Sequence, residues 1–185
     1  MAAKTLMTVE QFLALPEDGH RYELVHGELV EVASGTGRHG LTRDNIMVAL
    51  RPIVMRAGGL VLTENDFQLG PDTVVRPDVA VLVASQVSYC DVDRTPVPFA
   101  PELAVEVVSA NDKVEDVFGK ALEYLSAGAR QVWVFVPRPL REVHVLDGKT
   151  HRVIAEHEFL EAPDIVPGFR ARAGDLFYRS PETHT

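Results

Sequence analysis

Apolar positions along this chain switch between a spacing of about 3.6 and a spacing of 2, and each switch marks an element. "TVEQFLALP" (8–16) opens with Thr8 and carries Gln11 three residues on. That is the capping-box spacing, so it predicts a short helix ended by Pro16. "RYELV" and "ELVEV" predict two strands around a tight His26-Gly27 turn. Between Arg38 and Ala57, Leu41, Ile46, Ala49, Leu50 and Ile53 fall on one helical stripe. Gly58 and Gly59 stop this helix, and Pro52 predicts a bend or a split in it. "LVLTENDFQLG" (60–70) and "TVVRPDVAVLVA" (73–84) read as two successive strands turned by "GPD", and the Pro-punctuated segment 86–101 reads as a loop.

The second half repeats the logic. "ELAVEVVS" (102–109) is a strand, and "SAND" (109–112) offers capping residues for a following helix. In that helix Val114, Val117, Phe118, Ala121, Leu122 and Leu125 recur at helical spacing, and Gly128 closes it. "QVWVFVP" (131–137) is apolar on both faces, as a central strand should be. "REVHVLDGKTHRVIAE" (141–156) predicts a hairpin with an Asp-Gly turn. The strand–helix–strand piece from Glu102 to Pro137 predicts a right-handed crossover between parallel strands. Neither repeats nor linkers interrupt the chain, so residues 1–185 read as a single α/β domain, with 179–185 as a loose tail. Its expected architecture is a mixed central β-sheet flanked by helices, with an N-terminal and a C-terminal hairpin.

Two carboxylates break this pattern. Glu106 lies in the middle of an apolar strand, and Asp78 opens another. Strand side chains alternate, so Glu106 shares a face with Ala104 and Val108, and Asp78 shares one with Ala80 and Leu82. An uncompensated charge at such a position is costly. If the strands are neighbours, both acids converge, and two carboxylates in a water-poor site want a divalent cation. Mg²⁺ is typically held this way, with waters and phosphate oxygens completing its shell. The alternatives are that Asp78 caps a turn after Pro77 and that Glu106 forms an ion pair with a lysine or arginine.

Composition adds exclusions. The 185 residues are 46% hydrophobic and 24% charged, ordinary for a globular protein. A net charge of −9 argues against wholesale coating of nucleic acid by a basic surface, though not against a local basic groove. The lone Cys90 rules out an internal disulfide and fits a reducing cytoplasm. No signal peptide is evident, and apolar runs such as "VAVLVA" (79–84) are too short to span a bilayer, so no membrane partner is expected. "SGTG" lacks the lysine and spacing of a phosphate-binding loop. The histidines are scattered, without zinc-ligand spacing, and "HVLDGKTHRV" reads as a hairpin rather than a site.

The series "RPDVAV", "ELAVEVVS" and "DVFGKALEYLSAGARQVWVFVP", with "TVEQFLALPEDGHRYELVHGELVEV" before it, resembles the PD-(D/E)XK nuclease superfamily. More narrowly it resembles the Uma-type family, a bacterial group classed with the restriction endonucleases. The resemblance covers nearly the whole chain. It implies a restriction-endonuclease-like fold and Mg²⁺-dependent (or Mn²⁺-dependent) hydrolysis of DNA. Asp78 and Glu106 would hold the metal with the backbone carbonyl of Val107. The superfamily motif asks for a lysine at position 108, where this chain has Val108. The Uma-type pattern draws the lysine from the next helix, here Lys120, to orient the attacking water and stabilise its deprotonated form or the phosphorane charge. On the predicted stripe Lys120 lies roughly 130° from the apolar centre, where pairing with Asp116 is the plain alternative. Glu23 matches a family glutamate and is either an extra metal ligand or the holder of a metal-bound water, or else a strand acid paired with Arg21 or exposed beside the hairpin turn. His39 matches as well, either binding phosphate or moving protons, or merely capping its helix. Arg38 and Arg43, with Arg51 and Arg56, either line a nucleic-acid groove or form a solvated face. A homodimer would suit cleavage of both strands of a duplex. The competing function is a retired nuclease fold that serves as a nucleic-acid-binding or protein-interaction module, which the missing in-strand lysine and the acidic surface favour.

Overall fold

The computed structural model describes residues 6–179; all of the expected tail but Arg179 lies outside the described residues. Helix α1 (Val9–Leu13) carries the full capping box, with Thr8 accepting from the Gln11 amide and Gln11 returning to Thr8. Strands β1 (Tyr22–Val25) and β2 (Glu28–Glu31) form the N-terminal hairpin. Its turn needs φ of +50° at His26 and +76° at Gly27, and the glycine adopts this without a Cβ penalty.

Helix α2 runs from Gly37 to Arg56 without interruption at Pro52, so the expected split does not occur. Its buried line is Thr42, Ile46, Leu50 and Val54, at strict i, i+4 spacing. Leu41, expected inside, is 47% exposed. The next segment corrects the sequence reading. The two predicted strands are four: β3 (Leu60–Thr63), β4 (Phe67–Gly70), β5 (Thr73–Val75) and β6 (Val79–Leu82). β4 and β5 leave the central sheet and join the hairpin in an antiparallel sheet of order β2-β1-β5-β4. The breaks occur where Glu64 takes a φ of +53° and where Pro77 can donate no ladder hydrogen bond. A short helix, α3 (Ala84–Val87), straddles the junction between the expected strand and the expected loop.

β7 (Leu103–Val107), α4 (Val114–Ser126) and β8 (Gln131–Val136) form the expected crossover, with β7 and β8 parallel. β9 (Glu142–Leu146) and β10 (His151–Ala155) are the C-terminal hairpin. Together they build a six-stranded mixed sheet of order β10-β9-β8-β7-β6-β3. β11 (Phe159–Glu161), β12 (Arg170–Arg172) and α5 (Ala173–Leu176) complete the described chain.

Alternation sorts the central strands between two layers. Val79, Val81, Leu103, Val105, Trp133 and Phe135 face α2 and the C-terminal segment. Ala104, Val132, Val134 and Val136 face α4, through Ala121 and Tyr124. The α4 stripe is therefore rotated from the expected one: Val114 is 43% and Leu122 57% exposed, while Tyr124 is fully buried. Gly128 closes the helix at φ +104°, as expected. "SAND" does not cap it. Lys113 is the N-cap and makes no side-chain cap bond, while Asp112 accepts from the Ser109 amide and closes a local turn.

Candidate active site

β6 and β7 are antiparallel neighbours with Val79 opposite Val105. One further step of this register sets Asp78 opposite Glu106, so both point toward the α4 side, as alternation requires. They open into a cleft of about 770 Å³ lined also by β1, β2 and α4. Glu106 is only 7% exposed. Its Oε1 accepts from the Tyr124 hydroxyl at 2.9 Å and faces Lys120 Nζ at 3.1 Å. Lys120 Nζ also donates to Glu23 Oε1 at 2.6 Å and to the Arg76 carbonyl at 2.8 Å. Glu23, likewise 7% exposed, accepts from the Arg76 amide at 2.7 Å. Asp78 Oδ2 accepts from the Val107 amide at 2.7 Å and lies 3.1 Å from His39 Nε2. One lysine thus bridges a carboxylate of the small sheet and a carboxylate of the large one.

The electrostatics follow from this burial. Glu106 is pushed up to about 8, chiefly by burial and further by Asp78 and Glu23, with Lys120 pulling the other way. Burial disfavours the Lys120 ammonium, but Glu106 and Glu23 outweigh it and hold the proton more tightly than usual. Burial and then Glu106 raise the Tyr124 phenol, which stays a hydrogen-bond donor. Burial pulls His39 down, yet its contact with Asp78 wins, helped by Asp112, and the net direction is upward.

Among the described residues no group of three or more His, Cys, Asp or Glu side chains gathers as a metal cage. A Mg²⁺-type site needs less, since one or two carboxylates suffice when water and phosphate oxygens complete the shell. The donor set meets that requirement. Every hydrogen bond that Asp78 and Glu106 side chains accept from the described residues falls on Oδ2 and Oε1 respectively. Asp78 Oδ1 and, once Glu106 gives up its proton, Glu106 Oε2 are hard oxygen donors free of these bonds.

The structure brings together Glu23, Asp78, Glu106, Val107, Lys120 and His39. Lys120 does not pair with Asp116, because the true buried face of α4 centres near Tyr124, roughly 40° around the helix from Lys120. Glu23 does not pair with Arg21, whose partner is Glu64 at 3.2 Å. His39 does not cap α2 with its ring; Thr36 is the cap, and the ring turns to Asp78. Arg38 lies over the Tyr178 ring, 5.1 Å from its centroid, and Arg43 is held by Asp44 and Glu64. Neither lines the cleft. Sequence reasoning missed Tyr124. The signal was available: it lies four residues from Lys120, and a buried tyrosine hydroxyl needs a partner.

A family model described as "Putative restriction endonuclease", Uma2, matches residues 9–174. The chain belongs to the Uma2 family. All the cleft residues just named fall inside the matched Uma2 region. A solved structure described as a putative nuclease belonging to DUF820, from Anabaena variabilis, superposes with a TM-score of 0.83. It is 20% identical and the match covers 92% of this chain and 97% of that one. That likeness shows that this Uma2 chain shares the fold of that structure, a mixed central sheet flanked by helices. No curated protein matches it. No helix among the described residues is long and apolar enough to cross a membrane.

Proposed function

We propose that this Uma2 chain is a metal-dependent endonuclease that hydrolyses phosphodiester bonds of DNA within one nuclease-like domain. The observation that carries this reading is the contact of Lys120 with Glu106 at 3.1 Å, in a cleft shared with Asp78. It supplies from α4 the cation that the strand lacks at Val108. Asp78 Oδ1 and Glu106 Oε2, with the Val107 carbonyl, would hold Mg²⁺ or Mn²⁺. Such an ion, when bound, acidifies water and neutralises phosphate charge.

The side chains divide the remaining work. The Val107 amide and His39 fix Asp78 by one oxygen and leave the other free of hydrogen bonds from the described residues. Tyr124 and Lys120 do the same for Glu106. Glu23 and the Arg76 carbonyl hold Lys120 Nζ, so the ammonium charge is fixed in place to offset charge building on the phosphate. His39, partly buried beside Asp78, lines the cleft, where a protonated ring would offset phosphate charge. A homodimer would present two such clefts to the strands of a duplex.

Calorimetric titration of Mn²⁺ tests the ion-holding step. Wild type should bind it, and Asp78→Asn should bind at least tenfold more weakly. A folded wild-type protein without carboxylate-dependent binding would favour the retired scaffold instead.

A further inference from the structure

Six residues, the hairpin turn among them, lie between His144 and His151 in sequence, and the β9–β10 hairpin brings the two together. His144 Nδ1 lies 2.8 Å from His151 Nε2, with the ring centroids 5.0 Å apart. The other nitrogen of His144, Nε2, lies 3.1 Å from Glu142 Oε1. A carboxylate there requires the proton on Nε2, which leaves Nδ1 as a bare lone pair facing His151. His144 is largely buried, its side chain 14% exposed, while His151 is exposed. The Phe118 ring of α4 meets the His144 ring edge-on at 5.0 Å and backs the pair.

We propose that His144 and His151 form a two-imidazole site for a divalent d-block cation of the zinc, copper or nickel class. Three features support it. Two imidazole nitrogens converge on one point. A carboxylate orients the buried ring through its far nitrogen, the arrangement that fixes tautomer and raises basicity in metal-bound histidines. Solvent reaches the site past His151. Tetrahedral zinc with Zn–N bonds near 2.05 Å would separate the two nitrogens by about 3.3 Å. The pair opens by about half an ångström to admit the ion, which the exposed His151 ring allows. The proton on His151 Nε2 leaves for solvent while His151 Nδ1 takes one up, so the ring stays neutral and no net proton is lost. Water fills the remaining positions. Imidazole nitrogen selects these ions against Mg²⁺, which prefers oxygen. The site is therefore separate from the carboxylate cleft in both place and ligand class.

The test is a zinc titration of the tag-free full chain, followed by imidazole ¹H–¹⁵N NMR and by calorimetry. Zinc should shift His144 Nδ1 and His151 Nε2 first. His151→Gln, an exposed substitution whose fold circular dichroism checks, should bind at this site at least tenfold more weakly. Glu142→Gln should weaken binding by about 10- to 100-fold while leaving both histidines in place. Unchanged zinc affinity in His151→Gln, first shifts at other histidines, or no zinc binding by folded wild type would each overturn the assignment.

Discussion

Replacing Lys120 by methionine removes the cation that three groups share while keeping most of the side-chain volume. In the native cleft its ammonium lies 2.6 Å from Glu23, 3.1 Å from Glu106 and 2.8 Å from the Arg76 carbonyl. The side chains of Glu23 and Glu106 are 8% and 9% exposed, and that of Lys120 17%, so solvent screens these contacts little. Removing one partner of a buried ion pair costs about 3–5 kcal/mol, because the remaining charge stays buried and uncompensated. For a chain of this size 1 kcal/mol moves the Tm by roughly 2–4 °C, so Lys120→Met should lower it by about 6–20 °C at pH 9. Without the lysine Glu106 binds its proton more readily, so the loss should shrink toward pH 5. Adding Glu106→Gln removes the stranded charge and should restore more than half of the lost stability, the signature of coupled neighbours. Thermal melts in chelator at both pH values, on single and double variants, supply the numbers. A drop below about 2 °C at pH 9, equal drops at both pH values, or no rescue by Glu106→Gln would refute the reasoning.

Two further outcomes follow from the same cleft. Tyr124→Phe deletes the hydroxyl that holds Glu106 Oε1 and should cost roughly 1–3 kcal/mol in urea unfolding, with weaker Mn²⁺ binding; stability within 0.5 kcal/mol of wild type would assign no such role to the hydroxyl. A carboxyl that binds its proton more tightly folded than unfolded favours the folded state while protonated. With Glu106 raised from 4.5 to about 8, that contribution is complete below about pH 4.5 and lost as pH rises through 8. Urea midpoints of the metal-free protein should therefore fall across this window, and Glu106→Gln should flatten that part of the profile.

Local rules read much of this molecule from its sequence. The Thr8–Gln11 capping box, both hairpins and the parallel crossover stand where their patterns put them. Period-2 alternation alone set Asp78 and Glu106 on one face once their strands proved to be neighbours. The exchange of strands between two sheets was not legible. A strand's own alternation says which face is buried but not which sheet it joins, and the breaks at Glu64 and Pro77 look like ordinary irregularities until both are seen to coincide. Lys120 was misplaced on its helix for a related reason. Counting Val114 and Leu122 as core swung the expected stripe away from it, whereas both are exposed and the buried tyrosine marks the true face. A helix face is settled by what packs on it, and here that is the α4 side of the central sheet. The His144–His151 contact was hidden because a hairpin turn, not a helical or zinc-type spacing, brings the rings together.

The central claim is that Asp78, Glu106 and Lys120 form a working hydrolytic site. Nicking and linearisation of supercoiled plasmid tests it most directly, with Mg²⁺, with Mn²⁺ and with chelator, on wild type beside Glu106→Ala. The account predicts cutting by wild type that needs the divalent cation and is lost in the variant, with both proteins folded. Cutting that survives in Glu106→Ala, or that proceeds equally in chelator, would contradict it.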